Sequence, residues 1–173
     1  MRTWQTLALT TALLAGGCSE SATPPKPQPP LTTGGEPIIP EGARGVEAVA
    51  PILAAAAKQP AECEALSAHS AALFDDLITI VETRDDPPWM PLRAVECLML
   101  TYPRRVQPRL EQWVTDPDAF YLTRVILYRS DALPEDVAVA VMRRAFTGPD
   151  APTAKRLARR SKHPAVQALV KTR

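Results

Sequence analysis

Any thiol, imidazole or metal chemistry in this chain must be built from three cysteines, Cys18, Cys63 and Cys97, and two histidines, His69 and His163. A zinc site from Cys63, His69 and Cys97 would need its ligands on one face. Six residues along a helix put Cys63 and His69 on different sides, and the sequence contains neither C-x-x-C nor H-x-x-x-H. A nucleophilic triad would need a serine or cysteine oriented beside a histidine and a carboxylate, and no glycine elbow surrounds a candidate. The neighbouring carboxylates Asp75 and Asp76, and Asp85 and Asp86, are of the type that shares acid and base roles. On helices and turns such pairs ordinarily serve as solvated or capping groups. There is no glycine-rich phosphate loop. These residues predict no catalytic centre, no metal site, no cofactor and no small-molecule substrate. Cys63 and Cys97 have two readings. In an oxidising compartment they would form a disulfide that closes a loop of about 34 residues and contributes on the order of 3 kcal/mol. As two buried thiols they would fit helical text equally well, because sequence does not show how near their Cα atoms come.

Cys18 has a different setting. It follows Leu14-Ala15-Gly16-Gly17, behind Arg2 and a short apolar stretch containing Trp4, Leu7, Leu9 and Leu13. The stretch is too short for the about 20 apolar residues that cross a bilayer, so it reads as a signal segment over residues 1–17. This run resembles the lipobox of bacterial lipoproteins, with Ala15 where that family often has leucine. The resemblance implies diacylglyceryl transfer to the Cys18 thiol, cleavage before it and acylation of the new amino terminus. At about 0.8 kcal/mol per buried CH₂, two or three acyl chains hold a protein on a membrane durably, where one does not. Ser19 after the cysteine, instead of aspartate, implies the outer membrane, facing the periplasm. An ordinary secretory signal with an incidental cysteine is the alternative.

The elements behind this address divide sharply by composition. Pro24, Pro25, Pro27, Pro29, Pro30, Pro37 and Pro40 sit among Ser, Thr, Lys and Gly, so residues 18–42 predict a disordered, polyproline-biased tether. At ~3.1 Å per extended residue it would reach roughly 60 Å. Residues 43–173 leave room for one helical domain with an independent core. The chain is 46% hydrophobic but only 5% aromatic, and Gly148 is the sole glycine after Gly45, which favours helices over hairpins. Pro51 is expected near a helix start, with Pro60 and Pro164 at first helical positions.

The net charge of +1 conceals a gradient, with acidic side chains dominating residues 41–100 and basic ones residues 134–173. Arg143, Arg144, Lys155, Arg156, Arg159, Arg160 and Lys162 form the basic end, a candidate patch for an anionic partner. A solvated helix face is its plainer reading. An exported protein does not ordinarily meet nucleic acid, so the anionic partners in view are lipid head groups, acidic proteins and envelope polymers.

A repeat organises the domain. Thr83, Thr115 and Thr147 are spaced by 32, as are Asp86, Asp118 and Asp150, and Arg93, Arg124 and Arg156 follow those aspartates by seven, six and six residues. Apolar residues recur at helical spacing before each turn: Leu73, Leu77 and Val81, then Val106, Leu110 and Trp113, then Val137, Val141 and Met142. Leu92, Val95 and Leu98 follow the first turn, Phe120, Leu122, Val125 and Ile126 the second, and Ala154 and Leu157 the third. Such a period predicts stacked helix pairs. The chain here resembles the HEAT-repeat family, whose units carry an aspartate in the turn and a basic residue about six positions on. That resemblance covers residues 70–161 and implies a structural ladder of Asp86, Asp118 and Asp150 with Arg93, Arg124 and Arg156. It departs from the family where Pro87 and Pro88 lengthen the first turn, and where Thr123 and Lys155 replace the apolar residue before the arginine. The expected fold is all-α, a short solenoid of about three helix pairs with flanking capping helices. A non-repetitive helical bundle is the alternative. The expected function is that of a lipid-anchored scaffold that binds another envelope protein through its helical surface. The second reading is an accessory factor that grips anionic lipid or polymer through the basic end.

Overall fold

The structure, a computed structural model, describes residues 37–56 and 63–171, and among them the chain is entirely helical, with no strand. The α-helices are α1 (Val46–Ala55), α2 (Leu73–Thr83), α3 (Met90–Thr101), α4 (Pro103–Trp113), α5 (Phe120–Arg129), α6 (Glu135–Ala145), α7 (Ala151–Ala158) and α8 (Pro164–Lys171), with 3₁₀ turns at Ala65–Ala68 and Ser130–Ala132. Cys18, the signal segment, residues 18–36 of the tether and Pro60 lie outside the described residues.

Proline and glycine set many of the boundaries. Pro103 and Pro164 are the first residues of α4 and α8, where a missing N–H breaks no helical bond. Pro51 differs from its expected place: it lies inside α1, so one backbone bond of that helix is forgone. Gly45 enters α1 with φ 62°, a left-handed value suited to glycine, and its N–H donates to the His69 carbonyl at 3.1 Å. Near the other end of the domain, Gly148 lies against the preceding turn. A Cβ at that position would sit 2.1 Å from the Val114 carbonyl oxygen, so only glycine fits.

The helices form three consecutive pairs, α2 with α3, α4 with α5, and α6 with α7. Within one row α3 packs on α5 and α5 on α7; in the other α4 packs on α6 and α6 on α8. Phe74 of α2 meets Tyr102, just before α4, edge to face at 5.6 Å, which brings α2 alongside the second row. α1 covers α2 and α3 at one end, and α8 covers α6 and α7 at the other. Between the rows lies one apolar cluster that includes Leu53, Leu77, Ile80, Leu98, Leu110, Ile126, Val141, Met142 and Val166, all essentially without solvent contact. Full burial of each such Leu or Ile contributes roughly 1.5–3 kcal/mol relative to exposure.

Of the periodic residues before the turns, Leu73, Leu77, Val106, Leu110, Trp113, Val137, Val141 and Met142 are buried as predicted, whereas Val81 is half-buried. Phe120 departs from the expectation of a core position and is 42% exposed. Thr123 is buried in its stead, and its hydroxyl donates to the Trp113 carbonyl at 2.9 Å. The polar side chain is thereby satisfied inside the stack. Cys63 and Cys97 are joined in a disulfide, both buried, with Cα atoms 5.2 Å apart across a sequence separation of 34. The bridge ties the segment before α2 to the middle of α3.

Candidate interaction surface

The two rows of helices carry different charge. α2, α4, α6 and α8 together bear Asp75, Asp76, Glu82, Glu111, Glu135 and Asp136 against Arg104, Arg105, Arg109, Arg143, Arg144 and Lys171, an even balance. Much of it is paired from helix to helix: Asp75 with Arg105 at 3.0 Å, Glu82 with Arg109 at 3.1 Å, Asp136 with Arg104 at 3.0 Å and Glu111 with Arg144 at 3.9 Å. Arg105 also stacks on the Phe74 ring, 3.7 Å from its centroid. Exposed pairs of this kind each contribute between about 0 and 1 kcal/mol. Their larger effect is to leave this side with little unspent charge.

The row α3, α5, α7 is the opposite case. It bears Arg93, Arg124, Arg129, Lys155 and Arg156 against a single carboxylate, Glu96. Glu96 is mostly shielded and accepts from Arg93 at 2.5 Å and from Arg129 Nε at 3.0 Å, which fixes both guanidiniums across α3 and α5. Arg156 of α7 reaches back to the Tyr128 hydroxyl at 3.2 Å, and the Arg124 guanidinium lies 5.2 Å from the centre of the Phe120 ring. Glu96, Arg124, Val125, Tyr128 and Arg129 line an open depression of about 430 Å³. Tyr128 in its wall is 53% exposed, and the same helices expose two more large apolar groups that the core does not take, Leu100 at 59% and Tyr121 at 75%.

These positions follow from the helical repeat. Arg93, Glu96 and Leu100 lie at i, i+3 and i+7 on α3, and Tyr121, Arg124 and Tyr128 at the same spacing on α5. The sequence carried a signal for this surface. Phe120, Tyr121, Leu122, Val125, Ile126, Leu127 and Tyr128 surround α5 on all sides, more apolar residues than one face can bury.

The ladder implied by the repeat resemblance is replaced by other pairings. Asp86 and Asp118 are exposed in their turns, the Asp118 N–H donates to Asp116 at 2.9 Å, and Asp150 stands at the start of α7 with no side-chain capping bond. Arg93, Arg124 and Arg156 turn to Glu96, Phe120 and Tyr128, and among the described residues none of the three aspartates bonds to Arg124 or Arg156. The basic end is divided. Arg143 and Arg144 lie in the last turn of α6, beside the start of α7, whereas Arg159, Arg160 and Lys162 follow its end. The eight residues of α7 separate the two groups by about 12 Å. Arg156 belongs to the face of α5, and Lys155 is half-buried.

Serine, histidine and aspartate do come together twice. The Ser161 hydroxyl donates to Asp131 at 2.5 Å and accepts the backbone N–H of His163 at 3.2 Å. The Ser70 hydroxyl donates to Asp76 and accepts the backbone N–H of Ala72 at 3.0 Å, beside His69. In both, the serine proton is committed to the carboxylate and the bond returned is a backbone N–H two residues on, the geometry of a turn that leads into α8 and α2. The imidazoles take no part in either bond, and the His163 Nε2 is buried without a partner. Among the described residues no group of three or more His, Cys, Asp or Glu is arranged to hold a metal ion, and no helix is long and apolar enough to cross a membrane. Comparison with known proteins yields no matching family model, no matching curated protein and no matching solved structure.

Proposed function

We propose that this chain is a lipid-anchored protein of the bacterial envelope that works by binding another protein on the exposed face of α3, α5 and α7. Its helix pairs are a short HEAT-like stack, held to the outer membrane through Cys18 and spaced from it by the proline-rich tether. The observation that carries the reading is the asymmetry between the rows. One side is laced by ion pairs between successive helices. The other exposes Leu100, Tyr121 and Tyr128 among guanidiniums, the composition of interface hot spots. Recognition, without a cofactor, is then the activity.

The test is site-specific photo-cross-linking in the native membrane, with the probe at Tyr121 or Leu100 of this face, at Gln112 of α4, and at Arg160 near the basic end. A discrete protein adduct from Tyr121 and Leu100, absent from Gln112, is the expected result. Adducts only from Arg160, or lipid and polymer adducts in place of protein, would favour the accessory factor that acts through its basic end. A parallel Cys18→Ser protein should keep its signal segment and carry no acyl chain. If it is shortened as in the wild type, the anchor is wrong.

A further inference from the structure

We infer that the partner segment seated on α3, α5 and α7 is an acidic peptide in which carboxylates alternate with large apolar side chains; the inference rests on the proposed protein-binding face. Charge complementarity supplies the first argument. The three helices carry five cations and one carboxylate of their own, and that carboxylate is already shared by Arg93 and Arg129. Arg129 uses its Nε on Glu96, so among the described residues its two terminal nitrogens keep their donors, and there Arg124 has only a ring contact. Arg156 spends one nitrogen on the Tyr128 hydroxyl. A guanidinium has five N–H donors in a planar fork matched to a carboxylate, so each of the three is poised for bidentate pairing. Glu96 and Tyr128 hold two of them in position, which lowers the ordering cost of binding.

Apolar side chains accompany the cations. Tyr121, Tyr128 and Phe120 of α5 and Leu100 of α3 are exposed on the same helices as these cations, with Phe120 against Arg124 and Tyr128 against Arg156. A wholly hydrophilic polyanion would satisfy the arginines and leave those side chains in water. A peptide with apolar residues between its acids covers both. The depression bounded by Val125, Tyr128 and Arg124 is open, as a segment lying across two helices requires.

The experiment uses the full chain purified in detergent and a fluorescein-labelled peptide of alternating glutamate with leucine or phenylalanine, read by anisotropy. Comparison probes are oligoglutamate of equal charge, the same peptide with lysine for glutamate, and vesicles of phosphatidylglycerol. The Glu/Leu/Phe peptide should bind at least about tenfold more tightly than the others and weaken about tenfold or more as salt rises from about 50 to 500 mM. The pair Arg124→Ala and Arg129→Ala, and separately Tyr128→Ser, should each cost about tenfold, with Arg143→Ala and Arg144→Ala leaving binding unchanged. Because lost binding can reflect lost folding, the charge reversal Arg124→Glu with Arg156→Glu supplies a gain: the lysine peptide should now be preferred. Equal binding of oligoglutamate or vesicles, or indifference to these substitutions, overturns the inference. Failure of every peptide while Tyr121 still cross-links a protein also overturns it but leaves the protein-binding reading standing. A concentration-dependent dimer abolished by Arg124→Glu would assign the face to a second copy of the chain and overturn it as well.

Discussion

Thr123 occupies a buried place on α5 that the helical period would fill with an apolar residue, and the Trp113 carbonyl is what makes the hydroxyl tolerable there. That carbonyl also accepts, at 3.3 Å, the N–H of Asp116, so it retains a partner if the hydroxyl is removed. Thr123→Val is therefore expected to destabilise by only about 1 kcal/mol, and Thr123→Ala by more, since it leaves a methyl-sized void as well. Urea titration of the two variants against wild type checks this order; an unchanged or raised midpoint for Thr123→Val would mean the bond contributes nothing net. Thr123 and Phe120 also mark where reading residues by type gives out. Residue type alone places phenylalanine inside and threonine outside, but α5 lies between two neighbours of its own row, and the direction of each Cβ toward those neighbours decides burial. Only the packing partners contain that information.

The helix pairs and their turns were legible because they depend on local causes: apolar residues at a helical period, prolines at first-turn positions, and a recurrent Thr and Asp in the turns. The pairings between units were not. Asp86, Asp118 and Asp150 keep a regular spacing of 32, but the bonds that link units run through Asp75, Glu82, Glu96 and Glu111, whose spacing is irregular and whose partners lie about 30 residues away. Gly148 is a further long-range constraint, set by the backbone of the preceding unit. Gly148→Ala forces the turn before α7 away from the Val114 carbonyl and is expected to cost about 1–3 kcal/mol, the range for overpacking in a close contact. A reduced melting temperature, with helix content at low temperature preserved, is the expected observation. If this variant melts with wild type, the two turns do not bear on one another.

Across the whole domain, one end is fastened covalently and the other is not. The sequence left Cys63 and Cys97 open between a bridge and two thiols, since it holds no measure of the distance between the loop before α2 and the middle of α3. With the bridge formed, Cys63→Ser with Cys97→Ser is expected to lower stability by about 3–4 kcal/mol, the loop-closure value for this separation. Chemical denaturation with and without reductant gives the same difference for the wild type, whereas equal stability in both would mean the bridge constrains little. Loss of the bridge should leave the α5 and α7 side chains of the face in place, because the bridge joins the segment before α2 to α3. Binding and stability are then separable measurements.

The Cys63–Cys97 bridge also gives the stack a direction. Each helix pair is supported mainly by its neighbours, so opening starts most readily at an end, and a covalent tie at α3 suppresses it there. Amide hydrogen exchange should therefore be polar along the chain, fastest in α8 and α7 and slowest in α3. Reduction should erase that gradient first on the α1 side. A protease acting on the native protein would then trim it from its basic end inward, and Arg156 would be lost before Arg124 and Arg129.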